Sequence, residues 1–390
     1  MTPEPIARHV VMLNKAYPPW LGGIETHVRD TSEALSARGW KVTALVCHEG
    51  LAREQEERNG VTVIRVARWG TLWSQPLTLG YSRQLRRLQP DLVHVHVPFP
   101  LGWIAALRLP ATIPVICTWH SEIIRQRAAL WLLSPLEQGF LRRCARIIAT
   151  SPELLQSSQA LQNHRERCTA IPLALPPGPA ASEEEQGRIE ERIKQQWPGQ
   201  RVLFVGRLVA YKGLPVLLQA MREIPAHLLI AGDGPLRDSL ERQARAEVHA
   251  ERIHFLGQVS EEEKRGLYRT ADVLVLPAVQ RSEAFGYVLL EAMREECPVI
   301  TTDLPTGVRW VNRHEETGLV TPPGDVEALA GAIRRILGDE ALRRRLGENA
   351  ARRVKTDFRF EETIDQLEEI YREALRTHPP DLPPEDESSR

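Results

Sequence analysis

Arg281-Ser-Glu-Ala-Phe-Gly-Tyr-Val-Leu-Leu-Glu291 is the stretch from which the rest of the chain can be read. Ahead of it, Ala271-Asp-Val-Leu-Val-Leu-Pro277 is a short apolar run of the kind that forms a buried parallel strand. Behind it stand Ala292, Met293 and Arg294, all good helix formers. The order strand, loop, helix places Glu283 in the loop and Glu291 one turn into a helix that opens near Gly286. Gly286 has no Cβ and lets a ligand approach the backbone. The first amides of such a helix, from Gly286, Tyr287 and Val288, have no partner within it and make an anion site suited to a diphosphate. Glu283, just outside the helix, reaches the hydroxyls of a ligand held there. Glu291, on the face of Tyr287, reaches a second hydroxyl pair such as that of a ribose.

Working outward, the strand before this segment is preceded by Arg201-Val-Leu-Phe-Val-Gly-Arg-Leu-Val-Ala-Tyr-Lys-Gly213. A strand there ends at Gly206, and Arg207 and Lys212 stand five apart around the following turn, two cations suited to a diphosphate leaving group. Together, the two carboxylates in Glu283 to Glu291 and the Gly-Arg-x4-Lys-Gly turn resemble the motifs of the family 4 retaining glycosyltransferases. The resemblance implies the GT-B fold, an α/β architecture of two facing Rossmann-like doubly wound domains with a cleft between them, and it runs over roughly residues 8–376.

The bulk properties agree with two globular domains. A chain of 390 residues is long for one core, and 42% hydrophobic with 26% charged residues is ordinary for a globular protein. Net charge is −1, yet residues 1–175 carry 20 Lys and Arg against 13 Asp and Glu (+7), leaving 30 against 38 (−8) for the remainder. A basic first half fits an anionic membrane surface or a phosphorylated acceptor. The cysteines (Cys47, Cys117, Cys144, Cys168, Cys297) form no C-x-x-C pair and read as buried free thiols of a reducing compartment. The amino terminus has no apolar signal core, and the most apolar region, about 98–117, is broken by Arg108, Pro110 and Pro114. A cytoplasmic location follows as the expectation.

In the first half, His9-Val-Val-Met-Leu13 and Lys41-Val-Thr-Ala-Leu-Val46 read as strands flanking a helix that ends near Ala37. Between them, Gly22 and Gly23 bring backbone amides near a phosphate or sugar, as the resemblance implies for the donor. In Pro90-Asp-Leu-Val-His-Val-His-Val-Pro98, His94 and His96 alternate onto one strand face, with no third metal ligand at useful spacing; His96 reads as a packing or cleft-edge residue. Pro114-Val-Ile-Cys-Thr-Trp-His-Ser-Glu122 is a strand ending in His120, and strand ends of this kind face the ligand crevice. The segment 123–146, with Trp131 and several arginines, admits two readings: a membrane-interface helix, or a helix on the sheet with arginines reaching solvent. Ser151 and Pro152 open a helix, residues 170–179 form the hinge with Leu173-Ala174 where the family carries Asn-Gly, and 181–196 reads as a solvated helical bridge.

The second half continues with strands at Leu228-Leu-Ile-Ala-Gly-Asp-Gly-Pro235 and Ile253-His-Phe-Leu-Gly-Gln-Val259; the resemblance gives Val259 a backbone contact to the nucleobase. Thr306-Gly307 and Trp310-Val-Asn312 stand where a ligand-side loop belongs, and helices at about 325–336, 339–355 and 360–376 follow. By resemblance the last crosses back onto the first domain, giving domains 1–175 and 176–359. The tail from His378 is polar, Pro-rich and expected to be disordered.

The expected function is transfer of a sugar from a nucleoside-diphosphate sugar to a saccharide or lipid-linked acceptor, with His120, Glu283, Arg207 and Lys212 as the catalytic set. Donor contacts by resemblance are Gly22, Gly23, Arg207, Lys212, Val259, Glu283, Phe285, Gly286, Tyr287, Val288 and Glu291. No cofactor, metal or nucleic acid is expected, and contact with an anionic membrane is the outlying partner. Two other readings stay open: a nucleotide-sugar 2-epimerase of the same fold, and a non-catalytic nucleotide-sugar-binding subunit. The sequence speaks against a dinucleotide oxidoreductase, since no Gly-x-Gly-x-x-Gly follows the first strand.

Overall fold

A computed structural model of the protein describes residues 8–19, 22–47, 50, 52–72, 75–78, 80–122, 127–178, 182–247 and 249–378, with the backbone alone for 71, 72, 75, 77 and 127–132. The tail beyond His378, the residues before Arg8 and residues 123–126 of the arginine-rich segment lie outside the described residues. The chain divides into two compact units. The first holds the described residues of Met1–Thr150, Ser158–Ile171 and Glu361–Arg390; the second holds Ser151–Ser157 and Pro172–Phe360.

In the first unit, strands β1 (His9–Leu13), β2 (Lys41–Cys47), β3 (Glu54–Arg58), β4 (Val61–Val66), β7 (Leu92–Val97), β8 (Val115–Trp119), β9 (Arg146–Ala149) and β10 (Cys168–Ala170) form one sheet. A small hairpin, β5 (Gly70–Leu72) with β6 (Gln75–Leu77), stands apart. The sheet order is β10-β9-β8-β7-β1-β2-β4-β3, parallel except for β3. Sequence reading did not anticipate β3, because Glu-Gln-Glu-Glu-Arg has no apolar face. It is an exposed edge strand that pairs antiparallel with β4 through the turn at Asn59-Gly60. The chain runs from β1 outward to β2 and β4, then returns to place β7 on the other side of β1. The gap between the ends of β1 and β7 is therefore the point where strand order reverses, the usual ligand crevice of an open α/β sheet.

The last helix, Phe360–Thr377, completes the first unit from Glu361 onward. Ile364, Leu367, Tyr371 and Ala374 recur at steps of three and four, so one stripe is apolar, and all four are buried. Each large member contributes on the order of 1.5–3 kcal/mol by leaving water. The stripe is fixed by polar contacts. Trp40 Nε1 donates to Glu368 Oε1 at 2.6 Å, Tyr371 OH meets His94 Nδ1 at 2.6 Å, and Arg38 pairs with Glu361, Asp365 and Glu368.

The second unit has β11 (Arg201–Val205), β12 (His227–Ala231), β13 (Ile253–Gly257), β14 (Val273–Leu276), β15 (Val299–Thr302) and β16 (Gly318–Thr321) in the order β13-β12-β11-β14-β15-β16, all parallel. Here the order reverses between β11 and β14. Val202, Phe204, Leu228, Ile230, Val273 and Val275 alternate along three strands and bury one face against Leu214, Leu217, Leu240 and Ile333 from the helices. The helix Glu183–Gln196 corrects one expectation. It is no solvated bridge, since Gln186 and Ile193 are buried and Ile189 and Ile193 crowd Gly266 of the helix Glu261–Thr270.

Candidate active site

The loops after β11 and β14 meet at the reversal point of the second sheet. Gly213, at φ 73, follows the 3-10 turn Ala210–Lys212. A Cβ there would lie 1.9 Å from Pro277 O, so only glycine lets the two loops close on each other. The Val279 amide donates to Tyr211 O at 2.8 Å and bridges the same gap. This packing brings Lys212 Nζ to 2.6 Å from Glu283 Oε2. The contact is an ion pair lying off the line of a good hydrogen bond. Both side chains are 9% exposed. Burial alone lowers the pKa of Lys212, but attraction to Glu283 outweighs it and the ammonium is held above its ordinary range. Arg207, the second expected cation, stands exposed beyond β11 with no ion-pair partner among the described residues.

Glu283 is held in place through its backbone. Thr306 Oγ1 donates to Glu283 O at 2.8 Å and the Gly307 amide to Ala284 O at 2.7 Å. A Cβ on Gly307 would lie 2.8 Å from both Ala284 O and the Phe285 ring. Thr306 and Gly307, expected on a ligand-side loop, thus brace the Glu283 loop.

The helix after the loop is Tyr287–Arg294, and Gly286 caps it at φ 77, ψ 57. Glycine is needed for that left-handed conformation, and an added Cβ would also strike Leu289 at 2.7 Å. The reason is thus local geometry as well as ligand approach. The side chains of two expected donor contacts face inward. Phe285 is 4% exposed and packs edge-to-face on Phe358, and Tyr287 is 7% exposed with its hydroxyl donating to Ala174 O at 3.3 Å. Only their backbones remain to meet a ligand. Val288 is half-buried in the first turn, and the Leu289 amide donates to Gly286 O at 2.8 Å.

Glu291 is anchored separately. Lys264 Nζ donates to its Oε1 at 2.9 Å and Tyr268 OH to its Oε2 at 2.7 Å. Burial first, and then the Glu291 charge, push the Tyr268 hydroxyl well above its usual pKa, so it stays a donor. An ionised carboxylate accepts about four hydrogen bonds, so Glu291 keeps free lone pairs for a ligand. Lys264 and Tyr268 escaped sequence reading because they lie four apart on another helix, and no spacing ties them to Glu291. Val259 is half-buried just beyond β13, at the far edge of the sheet and directly before the capping box of Ser260 and Glu263.

In the first unit, four imidazoles gather beside the reversal point. His94 and His96 share a face of β7, with ring centroids 4.3 Å apart. His120 follows β8 and lies 3.0 Å from His96, Nε2 to Nδ1. His27 comes from the helix Gly23–Ala37. Burial lowers all four, with repulsion from neighbouring imidazoles adding to it at His94, His96 and His120: His27 falls to about 4, His94 to about 3, and His96 and His120 lie well below the ordinary imidazole range. His94 is fixed by Thr118 Oγ1 at 2.7 Å and by Tyr371. His94 and His96 gain no third ligand as a pair, but one nitrogen each from His27, His96 and His120 lies within 4.8 Å of the others, a group that leaves His94 out. Sequence spacing cannot show this, because the three come from different elements. Gly22, the cap of the Gly23–Ala37 helix, has extended backbone at φ −163 that does not require glycine, and Gly23 is the exposed first helical residue.

The arginine-rich segment forms the helix Arg127–Arg143. Arg143 donates to Pro110 O and Ile113 O at 2.8 and 2.6 Å, and Arg146 pairs with Glu373, so these two face the protein and not a membrane. The side chains of Arg127 and Trp131 lie outside the described residues. No described helix is long and apolar enough to cross a membrane.

Comparison with known proteins gives the following. Residues 188–353 match the Glycosyl transferases group 1 family and residues 21–177 match Glycosyltransferase Family 4. The chain is 36% identical to the D-rhamnosyltransferase WbpZ of Pseudomonas aeruginosa over 293 residues, 74% of this chain and 75% of that one. It is 28% identical to the O-antigen chain mannosyltransferase C of Escherichia coli over 364 residues, 93% and 97% of the two chains. Among solved structures, sucrose-phosphate synthase from Thermosynechococcus elongatus superposes with a TM-score of 0.79 at 24% identity, covering 95% of this chain and 100% of that one. Anabaena HepE in complex with UDP and glucose superposes with a TM-score of 0.76 at 19% identity, covering 93% and 99%.

Proposed function

The chain belongs to family 4 of the glycosyltransferases and has their GT-B fold, and on that footing we propose that it moves a sugar, with retention of configuration, from a nucleoside-diphosphate sugar to a saccharide or lipid-linked acceptor in building a bacterial surface polysaccharide. The buried Lys212–Glu283 pair at the β11/β14 reversal point carries the reading. On this reading Lys212 is the cation for the departing diphosphate and Glu283 the carboxylate for the sugar hydroxyls. Lys212, Arg207 and the amides at Gly286, Tyr287 and Val288 stabilise the negative charge that grows on the leaving phosphate. Glu283 holds the sugar, Glu291 the ribose, and Val259 meets the base through its backbone. His120, Gly22 and Gly23 keep the sugar-side roles that the family resemblance implies.

As the bond from the anomeric carbon to the phosphate oxygen breaks, that carbon becomes oxocarbenium-like. The acceptor hydroxyl bonds it on the face the phosphate leaves and gives its proton to the departing phosphate. The charge stabilisation comes from side chains and amides, and no metal enters. The two relatives named for mannose and rhamnose support a manno-configured donor, since D-rhamnose is mannose without its 6-hydroxyl. A lipid-linked acceptor and the +7 first half support a cytoplasmic enzyme that touches an anionic membrane.

A panel of nucleoside-diphosphate sugars tests the reading. The productive donor raises the melting temperature by mass action, and its sugar is consumed only when acceptor is added. Consumption without acceptor, or binding with no turnover under any acceptor, would overturn it.

A further inference from the structure

We propose that His27, His96 and His120 form a binding site for a divalent transition cation of the zinc class, and that filling it inhibits transfer. One nitrogen from each residue lies within 4.8 Å of the other two. A tetrahedral zinc ion with Zn–N bonds of about 2.0–2.1 Å holds its ligand nitrogens about 3.3 Å apart. His96 Nδ1 and His120 Nε2, at 3.0 Å, already stand near that spacing. The remaining separations close by about 1.5 Å at most, within reach of imidazole ring rotation, whose torsional well is broad.

The chemistry of the trio selects the ion. Burial keeps the imidazoles neutral, the form that ligates. Imidazole favours zinc, copper, nickel and cobalt over magnesium or calcium, which prefer oxygen. His96 Nε2, on the other side of the ring from the nitrogen that faces His120, is fully buried with no hydrogen-bond partner among the described residues, so no bond there holds the ring against the small rotation that ligation needs. The surroundings limit the rearrangement. His94 is pinned by Thr118 and Tyr371 and packs against the His96 ring, and Thr31 Oγ1 stands 3.5 Å from His27 Nδ1, an outer partner of the kind that orients metal-bound histidines. Three protein ligands leave a fourth position for water or for a ligand hydroxyl.

Inhibition rests on the role proposed above for His120: an imidazole tied to a cation cannot serve the sugar. Binding itself does not depend on that role, and the two are measured separately. The intact chain is titrated with zinc chloride alone and with cobalt chloride alone. Calorimetry should give one equivalent of zinc, cobalt should develop the visible absorption of a tetrahedral site, and zinc X-ray absorption should show three imidazoles. His27→Asn and His96→Gln, checked for folding by circular dichroism, should each weaken zinc at least about tenfold. Fewer than three imidazoles on the zinc-loaded wild-type chain, or unchanged zinc affinity in a folded variant, overturns the site. Zinc bound by three imidazoles without loss of transfer, or a loss that EDTA does not reverse, leaves the site standing and removes the inhibition and with it the role of His120.

Discussion

Replacing Lys212 by Met keeps most of the side-chain volume and removes the charge. In the native protein Lys212 Nζ lies 2.6 Å from Glu283 Oε2, and both side chains are more than nine-tenths buried. The variant strands the Glu283 carboxylate without its partner, and breaking a buried pair from one side costs about 3–5 kcal/mol. At roughly 2–4 °C per kcal/mol for a unit of this size, the melting temperature should fall by about 6–20 °C. Adding Glu283→Gln removes the stranded charge, so the double variant should recover much of that loss. The ligand side gives a sharper contrast. Lys212→Met should weaken a nucleoside diphosphate by roughly tenfold or more, because one charge-assisted bond to phosphate contributes about 1.5–3 kcal/mol. Glu283→Gln should bind the same sugar-free nucleotide as tightly as wild type or more tightly, since Lys212 is released from its partner, while turnover with the full donor collapses. Calorimetric titration with the nucleoside diphosphate and scanning calorimetry read the two sides. Additive losses of stability in the double variant, or equal weakening of the sugar-free nucleotide by both single variants, would refute the reasoning.

Three further outcomes are expected. Tyr268→Phe deprives Glu291 of one donor and should raise the KM for the nucleotide sugar about two- to tenfold, in line with a net hydrogen bond of about 0.5–1.5 kcal/mol, with kcat little changed; an unmoved KM counts against Glu291 as the ribose ligand. Acidification should destabilise the first unit. His27 and His94 have folded pKa values of about 4 and 3 against 6.5, so the unfolded chain takes up their protons first; stability is full above pH 6.5 and falls as pH drops towards those values, by about 1.4 kcal/mol per pH unit for each. Urea midpoints that agree at pH 7.5 and 5 would contradict it. Transfer should survive EDTA, and an activity abolished by chelator and restored by Mg²⁺ or Mn²⁺ would show that the side-chain cations do not suffice.

Much of this was legible in the sequence because the signals are local. The apolar run before Glu283, the five-residue interval from Arg207 to Lys212 and the glycine at 286 each name an element and its end, and the reversal point follows once strands are ordered. The capping serine at 151 was equally local, with the Leu154 amide donating to its Oγ at 3.0 Å. What escaped was tertiary. No interval in the chain says that Lys212 meets Glu283, that Tyr268 and Lys264 fix Glu291, or that Thr306 braces the Glu283 backbone. That the rings of Phe285 and Tyr287, on either side of the key glycine, turn into the core is likewise tertiary information. The edge strand β3 is invisible to a hydrophobic pattern because neither of its faces is covered.

The chain passes between its two units four times, and the stripe of Ile364, Leu367 and Tyr371 that finishes the first unit is translated last. A ribosome that has completed Ile171 must add about two hundred further residues before Trp40, Arg38 and His94 receive their partners. At roughly 5–20 residues per second that interval is about 10–40 s. For that time the nascent first unit lacks the helix that carries Ile364, Leu367 and Tyr371, whereas the second unit, which ends at Phe360, is fully synthesised before that helix. The order of synthesis and the order of completion are thus opposite, and an amino-terminal fragment ending near residue 171 should be a client for chaperones and not a free-standing domain.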